Sequence, residues 1–532
     1  MSGLLDLHDI QGNILKAYGR SGYPKGRYVF FHVHNAEEGR RFVQRLLPSV
    51  TTSAPWAPGA AAGRPAKPSA TTNVAFTYHG LRELGVPRDS LQSFPDEFAM
   101  GMKARRDILG DDGASAPSFW DPIWQNAEVH IFVWISGTTS EAVAQKYEEI
   151  VNLLDARSKA GVEQVRGHRG PEGGNDLPYQ DASALLDADG QLTSREHFGY
   201  TDGISNPFFK GVSSHEATVR GGGKVTVHAP DTREGWEPLE AGEFLLGYKD
   251  EASECPEAPT PTLLARNGTF MVYRKLHQNV GSFDAYLDRV GKEFPGGKEA
   301  LAAKFAGRWR NGAPVTTFPT EAEANQFAAQ WQKAKADVLS APEGALRDTA
   351  KARFAELNLR FTAFDYSSDL EGGRCPVGAH CRRANPRGAL EFGQSGAFAT
   401  PGAVSNRRRI LRRGLPYGQS RASRVDQGDH GIIFMALNAS IRRQFEFIQQ
   451  QWMNYGNDFK LANDKDPLTG NHGTAGGAPD GRMIVGTEPN DPAPPFFCSQ
   501  LPRFIETRGG DYFFVPSLTA LRLIADGDID PT

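Results

Sequence analysis

VHIFVWISGTTSEAVAQKYEEIVNLL (129–154) changes its period partway along. Its opening run, VHIFVWIS, is β-branched and aromatic, as a buried strand requires. From Val143 onward the apolar residues Tyr147, Ile150, Val151 and Leu154 recur at helical spacing. Between the two, Thr138 stands three residues before Glu141, the pattern of a capping box. The same strand-then-helix plan recurs at YVFFHVHN (28–35) with Phe42, Val43, Leu46 and Leu47, at TFMVYRKL (269–276) with Val280, Phe283, Leu287 and Val290, and at GIIFMALN (431–438) with Ile441, Phe445, Ile448 and Trp452. Two units in each half predict a βαββαβ arrangement occurring twice. The expected class is α+β, two ferredoxin-like domains of antiparallel sheet with peripheral helices. The halves share little residue identity, so the duplication is one of architecture. A single fold with coincidental strand–helix units is the alternative.

Irregular stretches separate these units. Residues 51–72 are rich in Pro, Ala, Ser and Thr and read as a surface loop. Residues 320–358 are rich in Ala, Glu, Lys and Gln and read as inserted surface helices, and 463–496 read as loop. Residues 216–262 mix Gly, Pro and charge and form the expected connection. The domains are therefore expected at 1–215 and 263–532, with 216–262 between them.

Of the 532 residues, 23% are charged, and 59 basic against 63 acidic residues leave a net charge of −4. That balance excludes a basic nucleic-acid-coating protein and a charge-rich disordered chain. No run approaches the roughly 18 apolar residues of a membrane span. The N-terminus meets Asp6 almost at once and has no basic region, so no export signal is expected and the cytoplasm is the expected location. Four cysteines cannot build a disulfide framework, which points to a reducing compartment.

Three segments place unusual side chains in loops bounded by glycine and proline. In HFGYTDGISNPF (197–208), Gly199 and Gly203 bracket Asp202, whose aromatic neighbours Phe198, Tyr200, Phe208 and Phe209 would desolvate its carboxylate. Such a group is suited to proton transfer, although an Asp in a glycine loop more often just forms the turn. In RCPVGAHCRRANPRG (374–388), His380 is followed by Arg382, Arg383 and Arg387. A histidine among arginines should stay neutral and keep a lone pair for a metal, and the arginines could neutralise carboxylates of a cofactor. Cys375 and Cys381 raise a zinc reading, but Cys255 and Cys498 are isolated, and a structural zinc site needs about four ligands. In NRRRILRRGLPYG (406–418), alternation on a strand would put Ile410 and Arg412 on one face and Leu411 and Arg413 on the other. His32 and His34 share a strand face without a third ligand nearby and read as structural, and His197 reads as a loop hydrogen bonder or a cofactor contact.

Together these segments resemble the dye-decolourising peroxidase family of haem enzymes. The resemblance runs along nearly the whole chain, through DIQGNIL (9–15), GYTDG (199–203), NGTFMVYRKL (267–276), GRWRNGAPV (307–315), the CPVGAH and RRANPR runs within 375–387, ILRRGLPYG (410–418), IFMALNASIRRQFEFIQQQW (433–452) and FIETRGGDYFFVPSL (504–518). It implies a single haem b, with its iron, held between the sheets of two ferredoxin-like domains. It makes His380 the axial ligand, Asp202 the distal acid and Arg412 the distal arginine, with Arg413 as the competitor one residue on. Arg387 becomes a haem-propionate partner. Ile432 and Phe434 become the apolar wall of the distal face, Ile204 and Ser205 further haem contacts, and Asp466 the acid that orients His380. Cys381 departs from the family's usual aliphatic residue after the histidine. The implied activity is oxidation of bulky aromatic or dye-type reductants by hydrogen peroxide through a ferryl intermediate. A carboxylate base should favour acidic optima. Neither nucleic acid nor membrane is an expected partner, and a homodimer is left open. A haem-binding protein without turnover is the alternative from another class; it has no need of an Asp–Arg pair.

Overall fold

The structure is a computed structural model and describes residues 5–20, 22–56, 66–154, 161–170, 173–212, 219–226, 235–391, 402–419, 424–488 and 491–530. Parts of the 51–72 and 463–496 loops and of the 216–262 connection lie outside the described residues.

Eight strands carry the fold: β1 (Lys25–Val33), β2 (Ala70–Phe76), β3 (Ile131–Gly137), β4 (Val162–Gln164), β5 (Thr269–Gln278), β6 (Leu415–Tyr417), β7 (Gly431–Asn438) and β8 (Ile505–Val515). They are hydrogen-bonded in the order β4-β1-β3-β2-β8-β5-β7-β6. The first four strands thus follow the ferredoxin-like order 4-1-3-2. The last four, counted within their own half, follow the same order. The halves meet at one pair, Phe514 opposite Phe76, so two antiparallel sheets become one continuous sheet. At its far end β6 comes back against the strand Gln180–Ser183, which pairs with β1, and the sheet curls toward a barrel.

Aromatic rings fill the space inside the curl. Tyr273 of β5 lies 5.5–5.9 Å, centroid to centroid, from Tyr28, Phe30 and Phe132 of the first half, and Phe132 lies 5.1 Å from Phe513 of β8. Helices cover the outside. The helix Ala36–Leu46 turns Phe42, Val43 and Leu46 inward and is capped by Asn35, which accepts from Glu38 N–H at 3.1 Å. The helix Ser140–Val151 buries Val143 and Ile150, and Val280–Val290 buries Phe283 and Leu287.

Several sequence expectations are corrected. The cap of the second helix is Thr139, whose hydroxyl accepts from Ala142 N–H at 3.2 Å, whereas Thr138 donates to Ser69 O. The helical segment after β7 is wound as a π-helix over Arg442–Glu446 and Ile448–Met453, still with Phe445, Ile448 and Trp452 buried. The 51–72 loop ends inside β2, and 463–496 contains the strand Gly481–Val485, paired with Phe496–Leu501. The inserted helices lie at Glu321–Ser340 and Ala345–Leu359. Among the described residues no helix is long and apolar enough to cross a membrane.

Candidate active site

Strand alternation gives the second sheet two different faces. On β7, Ile433, Met435 and Leu437 are buried toward the barrel, while Ile432 and Phe434 point the other way. On β5, Tyr273 faces the barrel, and Arg274, Leu276 and Gln278 line a cavity of about 320 Å³ on the outer face. Ile432, Phe434, the 201–205 loop, His380, Arg387, Arg412 and the π-helical segment complete its walls. The cavity is therefore not between the two sheets. The barrel interior is packed with rings, and the cavity lies on the opposite side of the same strands.

The Asp202 loop is a tight hairpin. Asp202 N–H donates to Ser194 O at 2.8 Å, Arg195 bridges to Thr201, and Gly199 and Gly203 take φ of +95° and +75°, which a side chain would resist. Arg412 reaches this loop from the short strand Leu411–Arg412, paired to β7. Its Nη1 donates to Asp202 Oδ1 at 2.6 Å and its Nη2 to Ile204 O at 3.0 Å. Burial works against the guanidinium charge, but the Asp202 carboxylate outweighs it and holds Arg412 above its ordinary pKa. Arg413 turns away to the carbonyls of Asn13 and Ile14.

His380 opens a short helix, His380–Ala384. Its Nδ1 lies 3.0 Å from Asp466 Oδ2, and Asp466 Oδ1 accepts from Leu468 and Thr469 N–H at 2.9 and 2.7 Å. Asp466 is fully buried behind the ring and off the cavity wall, so any influence on a cofactor passes through His380. Burial disfavours the charged imidazole, yet Asp466 outweighs burial and raises the His380 pKa. The charge that acts most on His380 is thus Asp466, not the arginines that follow it in the chain. Arg382 donates to the Asp369, Leu370 and Cys375 carbonyls, and Arg383 to those of Gly378, Trp452, Tyr455 and Asp464. Neither faces the cavity; of the three expected cofactor arginines, only Arg387 lines it. The side chains of Asp202, Arg412 and His380 remain 43%, 35% and 32% exposed, which leaves all three open to a ligand in the cavity.

Arg387 shares one end of the cavity with Arg308, Arg409 and Ser205. Arg308 and Arg387 both reach Ser205 Oγ at 3.4 Å, and Arg409 donates to Gly222 and Gly223 O. All three arginines are buried, and among the described residues none makes an ion pair. Desolvation pulls Arg387 down to about 10 and Arg409 to about 9. Arg308 and Arg409 went unrecognised in the sequence. The one sat in GRWRNG without an assigned role, and the other was hidden in a run that reads as a solvated face. Glu196, Leu276 and Gln278 also line the cavity unforeseen.

The remaining histidines lie elsewhere. His197 bonds Tyr417 O at 2.8 Å and does not line the cavity. His34 pairs with Glu163, and His32 donates to Glu128 O. Among the described residues the one metal-like cluster is His32, Glu128 and His130, without a cysteine. Val33 N–H donates to His130 Nδ1, which makes Nε2 the protonated nitrogen of a neutral ring. That Nε2 makes no hydrogen bond and lies 3.6 Å from Glu128 Oε1, so the ring's lone pair is already used on Val33 N–H.

Two family models match the chain: the DyP dimeric alpha+beta barrel domain over residues 9–171 and the Dyp-type peroxidase C-terminal domain over 397–472. Neither match spans Asp202 or His380, but full-length relatives do. A dye-decolorizing peroxidase of Mycena epipterygia is 27% identical over 98% of this chain and 87% of its own. The multifunctional dye peroxidase DyP2 of an Amycolatopsis species is 28% identical over 97% of this chain and 95% of its own. The solved structure of a dye-decolorizing peroxidase in complex with 2,6-dimethoxyphenol superposes with a TM-score of 0.69 at 26% identity, over 98% of this chain and all of the other. The two domain models in order, the full-length likeness and the shared fold lead to one conclusion: the chain belongs to the dye-decolourising (DyP-type) family of peroxidases.

Proposed function

We propose that this protein is a haem b-dependent peroxidase that uses hydrogen peroxide to oxidise bulky aromatic or dye-type reductants, with Asp202 and Arg412 as its catalytic pair. The observation that carries this reading is the 2.6 Å pair of Asp202 and Arg412 on the wall of the cavity that His380 also lines. The residues present fit haem. His380 engages Asp466 through Nδ1 and keeps Nε2 for iron, as a carboxylate–histidine–metal arrangement requires. Three buried arginines that make no ion pair among the described residues suit the two propionates, and Ile204, Ile432, Phe434 and Leu276 suit an apolar macrocycle. Bound there, haem would supply the redox chemistry that reduces peroxide and oxidises the reductant.

The chain's own contribution is proton transfer and charge stabilisation. An Asp202 carboxylate oxygen takes a proton from one peroxide oxygen and returns it to the other, so that water departs. Arg412 Nη1 and Nη2 stabilise the negative charge that develops as the O–O bond breaks, beside the apolar side chains Ile204, Ile432 and Phe434 of the cavity wall. Asp466 gives the His380 ring anionic character. The phenol in the related complex suggests phenolic reductants among those accepted here.

The test is the absorption spectrum of the haem-loaded protein before and after one equivalent of peroxide. A Soret band that changes on peroxide addition is expected. Asp202→Ala and Arg412→Ala should keep the band but slow the change by about 10²–10³-fold, and His380→Ala should lose haem. No Soret band after haem supplementation refutes the proposal; a band indifferent to peroxide leaves haem binding alone.

A further inference from the structure

We propose that Glu196 is the positioning residue that holds Asp202 against Arg412, an inference that rests on the reading of Asp202 as proton carrier. Glu196 is buried on the cavity wall, and among the described residues no cation pairs with it. A carboxylate in that setting must be satisfied by N–H donors. Its donors come from two directions. Phe198 N–H donates to Oε2 at 2.8 Å and Tyr200 N–H to Oε1 at 2.7 Å, which fixes the backbone just ahead of Asp202. Gln278 Nε2 donates to Oε2 from the end of β5. The hairpin closes around the same residue, because Glu196 N–H donates to Tyr200 O at 3.0 Å and Gly199 N–H to Glu196 O at 2.8 Å.

The contacts form a closed ring. It starts at β5 with Gln278, passes through Glu196 into the 198–200 backbone, reaches Asp202, crosses to Arg412 and returns through the 411–412 strand to β7, the neighbour of β5. Both ends of the Asp202 loop are thereby tied to one rigid sheet. The loop comes from the first half of the chain and the sheet from the second; Thr201, which donates to Arg310 O through N–H and Oγ1, and His197, which bonds Tyr417 O, also join them, and the Glu196–Gln278 bond adds the tie on the cavity wall. Glutamine cannot replace the glutamate, since its amide nitrogen would point a donor at either a backbone N–H or Gln278. Burial raises the Glu196 carboxyl pKa, in keeping with a group held by dipoles rather than by a cation.

The test uses the haem-loaded full chain carrying Glu196→Gln, Asp202→Asn or both. E196Q is expected to retain its haem and its Soret position, to slow the peroxide-dependent change about tenfold to a hundredfold, and to leave the later reaction with the reductant unaltered. Hydrogen exchange of the 197–203 backbone should quicken. In the D202N background E196Q should add nothing, because a residue that acts only through Asp202 has no effect once Asp202 cannot carry the proton. A general structural role would instead multiply the two losses. Should E196Q fail to hold haem, Gln278→Leu, which removes the sheet's grip on the carboxylate, is expected to give the same non-additive slowing. Wild-type rates in E196Q, or losses that multiply, overturn the Glu196 inference alone. A D202N protein that reacts at the wild-type rate overturns the proposed function beneath it.

Discussion

Asp466→Asn tests the link between a fully buried carboxylate and the chemistry in front of it. Asp466 performs two tasks at once: Oδ2 accepts from His380, and Oδ1 accepts from two backbone N–H groups. Asparagine cannot perform both. If its oxygen stays with Leu468 and Thr469, its amide donates to His380 Nδ1, and the ring must carry its proton on Nε2, where the proposed iron bond requires a lone pair. If the amide turns over, its donors meet two N–H donors in a dry site. Either way a charge-assisted hydrogen bond worth about 1.5–3 kcal/mol is lost. Haem affinity should fall roughly 10- to 150-fold, in line with other substitutions behind a metal-bound histidine. The assay is transfer of haem from each variant to a competing apoprotein, with the midpoint potential measured in parallel. Each tenfold loss in ferric over ferrous affinity raises that potential by about 59 mV. Unchanged transfer and potential in D466N would refute the claim that Asp466 acts through His380.

Three further outcomes are expected. Burial depresses His197, His277 and His472 to about 4, from an ordinary 6.5. Between those values the unfolded chain binds more protons than the folded one. Stability is therefore whole above pH 6.5 and lost as pH falls toward 4, by roughly 3 kcal/mol per histidine; a melting temperature constant across that window would contradict it. Turnover of an anionic dye should nevertheless peak on the acid side, because the proton carrier is a carboxylate, and activity rising steadily from acid to neutral pH would count against Asp202. Arg413→Ala should cost about 1–3 kcal/mol of stability by freeing the Asn13 and Ile14 carbonyls, yet leave the peroxide reaction nearly unchanged. A slowing equal to that of R412A would reverse the assignment of the two arginines.

Legibility in the sequence followed the range of the interaction. The four strand–helix units could be found because each is local, a β-branched run giving way to a 3.6-residue period. The junction of Phe514 with Phe76 could not, since nothing near either residue announces a partner more than four hundred positions away. β2 was absorbed into a Ser/Thr-rich loop because ATTNVAF lacks the aromatic density of the other strands. At the site, glycine-bracketed Asp202 and His380 stood out by composition and resemblance. Alternation separated Arg412 from Arg413, but the choice of inward face is made by the pairing of Arg412 opposite Ala436. Arg308 and Arg409 stayed hidden because a buried arginine and a solvated one look alike until the carbonyls that bind it are known. The charge that acts most on His380 likewise escapes a reading of its neighbours in the chain, because Asp466 lies 86 residues away.

β5 and β7 each serve two masters on alternate residues. Tyr273, Ile433, Met435 and Leu437 hold the barrel together, and Arg274, Leu276, Ile432 and Phe434 meet whatever enters the cavity. Variation at the second set leaves the first untouched, so new substrate preferences can be explored without re-solving the folding problem. A library randomising Leu276, Ile432 and Phe434 should therefore yield mostly folded proteins. One randomising their immediate neighbours should yield few.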